Sequence, residues 1–269
     1  MFKLVTTMLL VTGPLVLLPA GATGATKECH GQVATVVGTD GNDKLVDDSD
    51  PARDVVWLGP GNDTWTSHGT GADIVCGGKG SDWLSGGFAA HLLIGGDGSD
   101  EFYEFAPHTV ALGGPGDDDF EQTGGKAYGG PGNDMFVNHA GESFGGLGDD
   151  SFNVQKYDTG ALHGNRGRDG VMFFYRNLHV NLTRGTAWWN GGRITLDGME
   201  GIVGTKYADV LIGSPQGDVL EGVQGKDLIK GRAGNDNLST QDGDGGTIYG
   251  GTGYDICSAP HTYGCEKVW

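Results

Sequence analysis

The chain has 269 residues, of which 53 are glycine, and its formal net charge is −18 at pH 7. This acidity argues against nucleic acid and anionic lipid as partners and favours cations. Glycine does not fall in a collagen triplet, and an apolar residue recurs in register with the glycines, which argues against disorder.

Residues 1–22 have the composition of an export signal. Lys3 stands near the start, an apolar run covers residues 4–18, and the small residues A-G-A provide a cleavage site. A retained membrane anchor is the alternative, but the run is short for a spanning helix and contains Pro14. We therefore predict a secreted, extracellular chain with no membrane span after signal cleavage.

The chain contains four cysteines, which allow three pairings. In an oxidising compartment they are expected to form two disulfides rather than to stay free or bind a metal. We predict the pairs Cys29 with Cys76 and Cys257 with Cys265, because each pair would then staple one end of a repetitive fold.

A nine-residue pattern recurs along the chain, G-G-x-G-x-D-x-U-x, in which U is a large apolar residue. Looser copies occupy residues 38–46, 58–66, 231–239 and 250–258. A short period of this kind is typical of a β-solenoid, in which each repeat stacks on its neighbours. The full copies are GGKGSDWLS (77–85), GGDGSDEFY (95–103), GGPGDDDFE (113–121), GGPGNDMFV (129–137) and GGLGDDSFN (145–153).

Glycine and aspartate in these turns indicate a site for a hard cation. The glycines permit positive φ, so successive carbonyl oxygens can face one point, and the aspartate adds a carboxylate. One turn offers too few oxygens for calcium, which takes about six to eight, so a second turn must stack beside it. The candidate metal-binding glycines are Gly77, Gly78, Gly80, Gly95, Gly96, Gly98, Gly113, Gly114, Gly116, Gly129, Gly130, Gly132, Gly145, Gly146 and Gly148.

The pattern resembles the hemolysin-type (RTX) calcium-binding repeat. The resemblance implies a right-handed parallel β-roll (β-solenoid) in which calcium lies between turns two repeats apart, so ion-sharing aspartates should recur about every 18 residues. Aspartates at intervals of 16 to 20 residues fit this expectation, and Asp169 continues them. We predict several Ca²⁺ ions on an aspartate column made of Asp43, Asp63, Asp82, Asp100, Asp118, Asp134 and Asp150, and on a second ion column, after a break in the period, made of Asp218, Asp236 and Asp255.

The half-turns between these aspartates lose the pattern. They read SDPARD, HGTGAD, GGFAAH and EFAPHT, then QTGGKAY and NHAGESF; none keeps the full glycine pattern, and the aspartate is absent after HGTGAD. We predict that this second edge is mostly free of calcium. His91 stands where an aspartate is expected, and we interpret it as a lost calcium site rather than a zinc site.

Large apolar residues follow the aspartates by two positions. Stacked coils would place them in one internal ladder, and the core of a solenoid is the favoured interpretation over a ligand groove. The predicted ladder consists of Leu45, Trp65, Leu84, Phe102, Phe120, Phe136 and Phe152.

Residues 173–203 lose the period. Alternation in LHVNL and RITL around a glycine-rich turn predicts a β-hairpin, and the segment is similar to an insertion between repeat blocks of the RTX family. Trp188 and Trp189 are expected to cover an open edge or end of the roll rather than to bind a ligand.

The period resumes after the insertion. Asp209 and Asp227 are expected on the opposite edge from Asp218, Asp236 and Asp255. The turns GSPQGD, which ends at Asp218, and GVQGKD, which ends at Asp227, depart from the pattern, with Gln216 in a glycine position and Lys226 beside Asp227. The predicted organisation is a signal (1–22), a first block (23–172), the hairpin insertion (173–203), and a second block with a disulfide-bonded C-terminal cap (204–269).

No catalytic motif stands in a suitable context. GESFG (141–145) matches the nucleophile elbow, but the pattern offers no helix to follow it. We predict a non-enzymatic calcium-binding structural or binding module. The alternatives are a polysaccharide lyase using Arg176, Arg184 or Arg193, and a surface adhesin or matrix component that binds an extracellular polysaccharide or a cell surface.

Overall fold

The computed structural model describes residues 26–47, 51–89, 91–137, 141–155, 159–175, 177–240 and 245–269. The predicted signal (1–22) and Arg176 lie outside the described residues. The chain divides into two compact units, unit 1 (residues 1–131) and unit 2 (residues 132–269). The block boundaries predicted at residues 172 and 203 remain a prediction.

Unit 1 consists of short strands that alternate between two parallel sheets. The first sheet has the order β3-β5-β7-β9-β11-β13 and the second has the order β4-β6-β8-β10-β12, while β1 and β2 form an antiparallel hairpin. The strands are β1 (Glu28–Cys29), β2 (Gln32–Val33), β3 (Val36–Val37), β4 (Lys44–Asp47), β5 (Val55–Pro60), β6 (Thr64–Ser67), β7 (Ile74–Lys79), β8 (Trp83–Ser85), β9 (Leu92–Asp97), β10 (Glu101–Phe105), β11 (Val110–Leu112), β12 (Asp119–Thr123) and β13 (Lys126–Pro131).

Unit 2 repeats this alternation. One sheet has the order β14-β16-β18-β22-β24-β26-β28-β30, and the other has the order β15-β17-β21-β20-β19-β23-β25-β27-β29. The elements are β14 (Met135–Val137), β15 (Glu142–Leu147), β16 (Ser151–Val154), β17 (Gly160–Arg166), β18 (Gly170–Phe173), β19 (His179–Asn181), a 3-10 helix (Leu182–Arg184), β20 (Thr186–Trp189), β21 (Gly192–Asp197), β22 (Gly201–Val203), β23 (Val210–Ile212), β24 (Val219–Glu221), β25 (Leu228–Ala233), β26 (Asn237–Ser239), β27 (Thr247–Thr252), β28 (Ile256–Ser258), β29 (His261–Tyr263) and β30 (Lys267–Val268).

The predicted apolar ladder forms the core and confirms the parallel solenoid. Its seven members are all at most 4% exposed. Strands in register place like residues above one another, so the Phe102 and Phe120 rings stack at 4.6 Å in unit 1. The Phe136 and Phe152 rings stack at 4.8 Å in unit 2. These distances equal the usual spacing of neighbouring strands, about 4.8 Å.

The insertion contains the predicted hairpin and one more strand. LHVNL contributes β19 and RITL lies within β21, but TAWW forms β20 between them, so the three strands make an antiparallel meander. Trp189 is 5% exposed and packs edge-on against Phe173. Trp188 is 40% exposed and stacks on His179. Trp189 therefore belongs to the core, and Trp188 lies at the surface.

Both predicted disulfides are present. Cys29 is bonded to Cys76, which attaches the β1–β2 hairpin to the outer face of β7, where Cys29 packs with Val55 and Ile74. Cys257 is bonded to Cys265, which closes the C-terminal turn. Among the described residues, no helix has the length and apolar character needed to cross a membrane.

Candidate metal centre

The predicted aspartates occupy one repeated position. Each stands directly before a strand, as Asp63, Asp82 and Asp100 do before β6, β8 and β10. The strand register aligns them from turn to turn. Apart from the half-buried Asp43, the side chains are at most 2% exposed, which is rare for aspartate.

A hydrogen-bond ladder links these aspartates. The backbone N–H of each aspartate donates to Oδ1 of the aspartate in the next turn, which fixes the orientation of the carboxylate. In unit 1 the bonds are 2.8 Å long and join Asp43 to Asp63, Asp63 to Asp82, Asp82 to Asp100 and Asp100 to Asp118. In unit 2 they measure 2.8 to 3.0 Å and join Asp134 to Asp150, Asp150 to Asp169, Asp218 to Asp236 and Asp236 to Asp255.

The second carboxylate oxygen, Oδ2, takes no part in this ladder. In most of these turns Oδ2 is buried and accepts no hydrogen bond, although buried polar atoms nearly always have a partner. The residues with such an Oδ2 include Asp63, Asp82, Asp100, Asp150, Asp169, Asp236 and Asp255.

The first glycine of each turn makes room for this oxygen. A Cβ added to Gly95 would overlap Asp100 Oδ2 and would lie 2.8 Å from the carbonyl oxygen of Gly113 in the next turn. A Cβ at Gly145 would meet Asp150 Oδ2 and the Gly164 carbonyl in the same way. The turns of Asp100 and Asp150 therefore each bring an unpartnered carboxylate oxygen and a main-chain carbonyl oxygen to one cradle.

Burial without a counter-ion changes the acidity of the column. Burial raises the pKa of Asp82 to about 7, and the neighbouring charges of Asp100 and Asp63 add to the increase. Burial likewise raises the pKa of Asp150 to about 7. The pKa values of Asp100, Asp169 and Asp236 rise to about 6 for the same first reason. A bound cation would stabilise the ionised form instead.

The cradles fit a hard cation with oxygen ligands, since calcium takes carboxylate and main-chain carbonyl oxygens. Within the described residues, no group of three or more His, Cys, Asp or Glu side chains is placed to hold a metal. The side chains alone therefore form no cage, and carbonyls of the glycine turns would have to supply most ligands. The occupancy of the predicted aspartates and glycines by calcium remains a prediction.

Comparison with known families agrees with this chemistry. A model of the RTX calcium-binding nonapeptide repeat, four copies long, matches residues 69–102, 196–228 and 212–246. The chain contains RTX calcium-binding repeats. A search of curated proteins finds no match.

Two predicted ligands differ from the other RTX aspartates. Both oxygens of the Asp43 carboxylate lie within hydrogen-bond distance of the Thr39 hydroxyl, at 3.0 and 3.1 Å. Asp218 Oδ2 accepts the Ser214 N–H at 2.6 Å, and the Ser214 hydroxyl lies 3.0 Å from its Oδ1. These two carboxylates are therefore satisfied by protein groups.

Two glutamates continue the column where sequence reasoning placed no ligand. Glu200 Oε2 accepts the Asp169 N–H at 3.0 Å, and Glu266 Oε2 accepts the Asp255 N–H at 2.7 Å. Each takes the place of the next aspartate. The signal that could have found Glu200 is its position directly before β22, which matches the position of an aspartate before its strand.

The opposite edge of unit 1 carries a second ladder with changing side chains. The Asp54 N–H donates to Asp73 Oδ1, the Asp73 N–H to His91 Nδ1, and the His91 N–H to Thr109 Oγ1. His91 thus occupies the aspartate position, as predicted. In unit 2 the Asp209 N–H donates to Asp227 Oδ1 at 3.0 Å, so these two form a ladder of their own.

The catalytic candidates do not converge. Ser143 of GESFG lies inside β15 and is fully buried, so the motif does not expose a nucleophile. Arg193 lies opposite Trp188 in the meander, whereas Arg184 precedes β20 at its other end.

Proposed function

We propose that the chain is a calcium-dependent structural module whose RTX turns fold on extracellular calcium. The observation that carries this proposal is the repeated cradle, in which a buried Oδ2 without a hydrogen bond faces the glycine carbonyl of the next turn. Without the ion, a row of buried carboxylates repels itself and opposes folding.

The free energy expected from calcium binding is sufficient to stabilise the fold. Extracellular calcium modules bind with dissociation constants of about 10⁻⁴ to 10⁻³ M. Millimolar calcium would then stabilise the fold by about 0.4 to 1.4 kcal/mol per site. Several coupled sites would contribute an amount comparable with the whole stability of a domain, about 5 to 15 kcal/mol.

The experiment is a calcium titration of the oxidised chain followed by circular dichroism and calorimetry. We expect a cooperative gain of β signal between sub-millimolar and millimolar calcium, with several ions bound per chain. Magnesium at the same concentration is the control, because it dehydrates reluctantly and demands octahedral geometry. A chain fully folded in chelator that binds no calcium would overturn the proposal.

Secretion is part of this proposal. Both disulfides join residues of the described chain, and such bonds persist in oxidising compartments. Export would move the chain from low to high calcium and couple folding to arrival outside the cell. N-terminal sequencing of the exported protein should begin at residue 23, and an intracellular, uncleaved chain would contradict this.

We further propose that the module has no enzymatic activity of its own. The buried Ser143 and the separated arginines support this. The lyase alternative predicts that the calcium-loaded chain releases unsaturated products from uronate polymers. These products absorb in the ultraviolet. Absence of such products with the calcium-loaded chain is the expected result.

A surface adhesin or matrix component is the second candidate function. It is favoured by the exposed Phe174, which lies beside a cavity of about 600 Å³ lined by Met172, Val203 and Tyr207. Calcium-dependent binding of the intact chain to a polysaccharide or cell surface, reduced by Phe174→Ala, would support this role.

A further inference from the structure

Among the turns that the structure describes, three share a local arrangement of hydrogen bonds around the aspartate. We call them hydroxyl-closed turns: residues 38–43, 204–209 and 213–218, in which Thr39, Thr205 or Ser214 stands four residues before the aspartate. In each turn the backbone N–H of that residue donates to Oδ2 of the aspartate at 2.6 Å.

The hydroxyl completes the arrangement. It lies 2.8 to 3.0 Å from a carboxylate oxygen of Asp43, Asp209 or Asp218. The same hydroxyl accepts the backbone N–H two residues further along, from Gly41, Tyr207 or Gln216. This is the turn that serine and threonine form with their own backbone, here extended to the aspartate.

The absence of glycine does not by itself decide whether Oδ2 has a partner. In the hydroxyl-closed turns the residue is a serine or threonine without positive φ, and its backbone N–H is the partner of Oδ2. In regular turns the equivalent position is a glycine such as Gly78 or Gly96, with φ of 124° and 127°. Asn165 and Arg232 occupy the same position with positive φ, yet Asp169 and Asp236 keep an unpartnered Oδ2. The aspartates of the three hydroxyl-closed turns have no unpartnered Oδ2.

The three turns also stand where a run of repeats begins. Residues 38–43 form the first aspartate turn of unit 1. Residues 204–209 and 213–218 are the first aspartate turns on the two edges of unit 2 after the meander.

Donors aimed at a carboxylate oppose a cation at the same place, because their positive ends face the position that the cation would occupy. We propose that the residue four positions before each aspartate selects the calcium turns. A serine or threonine there closes the carboxylate with its N–H and its hydroxyl and gives a metal-independent turn, and its absence leaves Oδ2 for calcium. This inference rests on the proposed calcium function of the column.

Two opening variants test it, Thr39→Gly and Ser214→Gly. The readouts are the number of bound calcium ions by calorimetry and hydrogen exchange of the adjacent strands β4 and β24 in metal-free buffer. We expect each variant to bind one more ion than the parent chain and to lose protection of its own strand without calcium. Ser99→Gly is the matched control, because Ser99 is an exposed hydroxyl of a regular turn.

The converse variant is Arg232→Ser, which places a hydroxyl before Asp236. We expect one ion fewer. An unchanged ion count in all three variants, with a calcium-binding parent chain, would overturn the inference and leave the proposed function standing. A parent chain that binds no calcium would overturn both.

Discussion

Asp100 shows how an aspartate of a regular turn uses its two carboxylate oxygens differently. Asp100 Oδ1 accepts the Asp82 N–H at 2.8 Å, whereas its Oδ2 is buried beside Gly95 without a hydrogen bond. The first oxygen holds the coils in register, and the second is left for a ligand. A substitution that keeps the Oδ1 acceptor and removes the Oδ2 carboxylate oxygen therefore separates the effect on folding from the effect on metal binding.

The first glycine of a turn should not tolerate a side chain. Gly95 has no positive φ, so Gly95→Ala strains no dihedral angle, but the new Cβ would overlap Asp100 Oδ2. We expect a loss of about 1 to 3 kcal/mol in the free energy of unfolding at saturating calcium. Gly41→Ala is the control, because a Cβ at Gly41 has no atom within 4 Å. Equal denaturation midpoints for both variants would contradict the cradle.

Acid should stabilise the metal-free chain. The folded pKa values of about 7 for Asp82 and Asp150 and about 6 for Asp100 exceed the unfolded value of about 4. The folded chain then binds more protons than the unfolded chain, so this stability is complete below about pH 4 and is lost as the pH rises through 6 to 7.

Melting temperatures in metal-free buffer should accordingly be higher at pH 5 than at pH 7.5. At saturating calcium the order should reverse, because protons compete with the metal for the carboxylates. A metal-free melting temperature that increases with pH would show that the buried carboxylates are compensated by protein groups.

Some residues could be assigned from sequence and others could not. The spacing of Asp63, Asp82 and Asp100 sufficed to align them, because a solenoid repeats its backbone. Glu200 was missed because the meander separates it from Asp169 by 31 residues, outside the range of the repeat. The role of Ser214 was missed because its hydroxyl bond depends on the folded turn and not on the spacing.

The strands are stabilised by the stacked side chains between the sheets. Phe102 and Phe120 are fully buried, with ring planes 5° apart. Phe102→Ala should cost about 3 to 5 kcal/mol at saturating calcium. Tyr103→Ala, on the outer face of the same strand, should cost less than half as much. Denaturant titration measures both, and equal costs would contradict the internal ladder.

The N-terminal hairpin depends on its disulfide more than on its own length, since β1 and β2 have only two residues each. The bond spans 47 residues, and its removal should cost about 4 kcal/mol on the chain-entropy estimate. The double variant Cys29→Ala, Cys76→Ala should lose hydrogen-exchange protection in the hairpin and still bind calcium. Retained protection would show that packing against Val55 and Ile74 is sufficient.

The residue pattern predicted two of the three strands of the meander. LHVNL and RITL were recognised by their alternation, and both are strands. TAWW was not assigned, because adjacent tryptophans do not alternate in polarity, yet Trp188 faces outward and Trp189 inward. Alternation of side-chain direction was present, but alternation of residue type was not.

For the whole chain, metal binding and folding should be one process. Each coil contacts its neighbours along the repeat, so a site formed in one turn favours the next. The chain should therefore respond to calcium cooperatively, and its stability should depend on how many cradles are filled. In this proposal the carboxylates that destabilise the metal-free fold are the same ones that would hold the metal.

The most direct test compares the parent chain with the variant Asp82→Asn, Asp100→Asn. Asparagine keeps an Oδ1 acceptor for the ladder and removes the buried charge, so the variant should be more stable than the parent chain in metal-free buffer. In millimolar calcium the order should reverse, because the variant loses the ion-derived stabilisation. Unfolding free energies measured in both buffers decide the matter. A variant that gains as much from calcium as the parent chain would contradict the aspartate column as the calcium site.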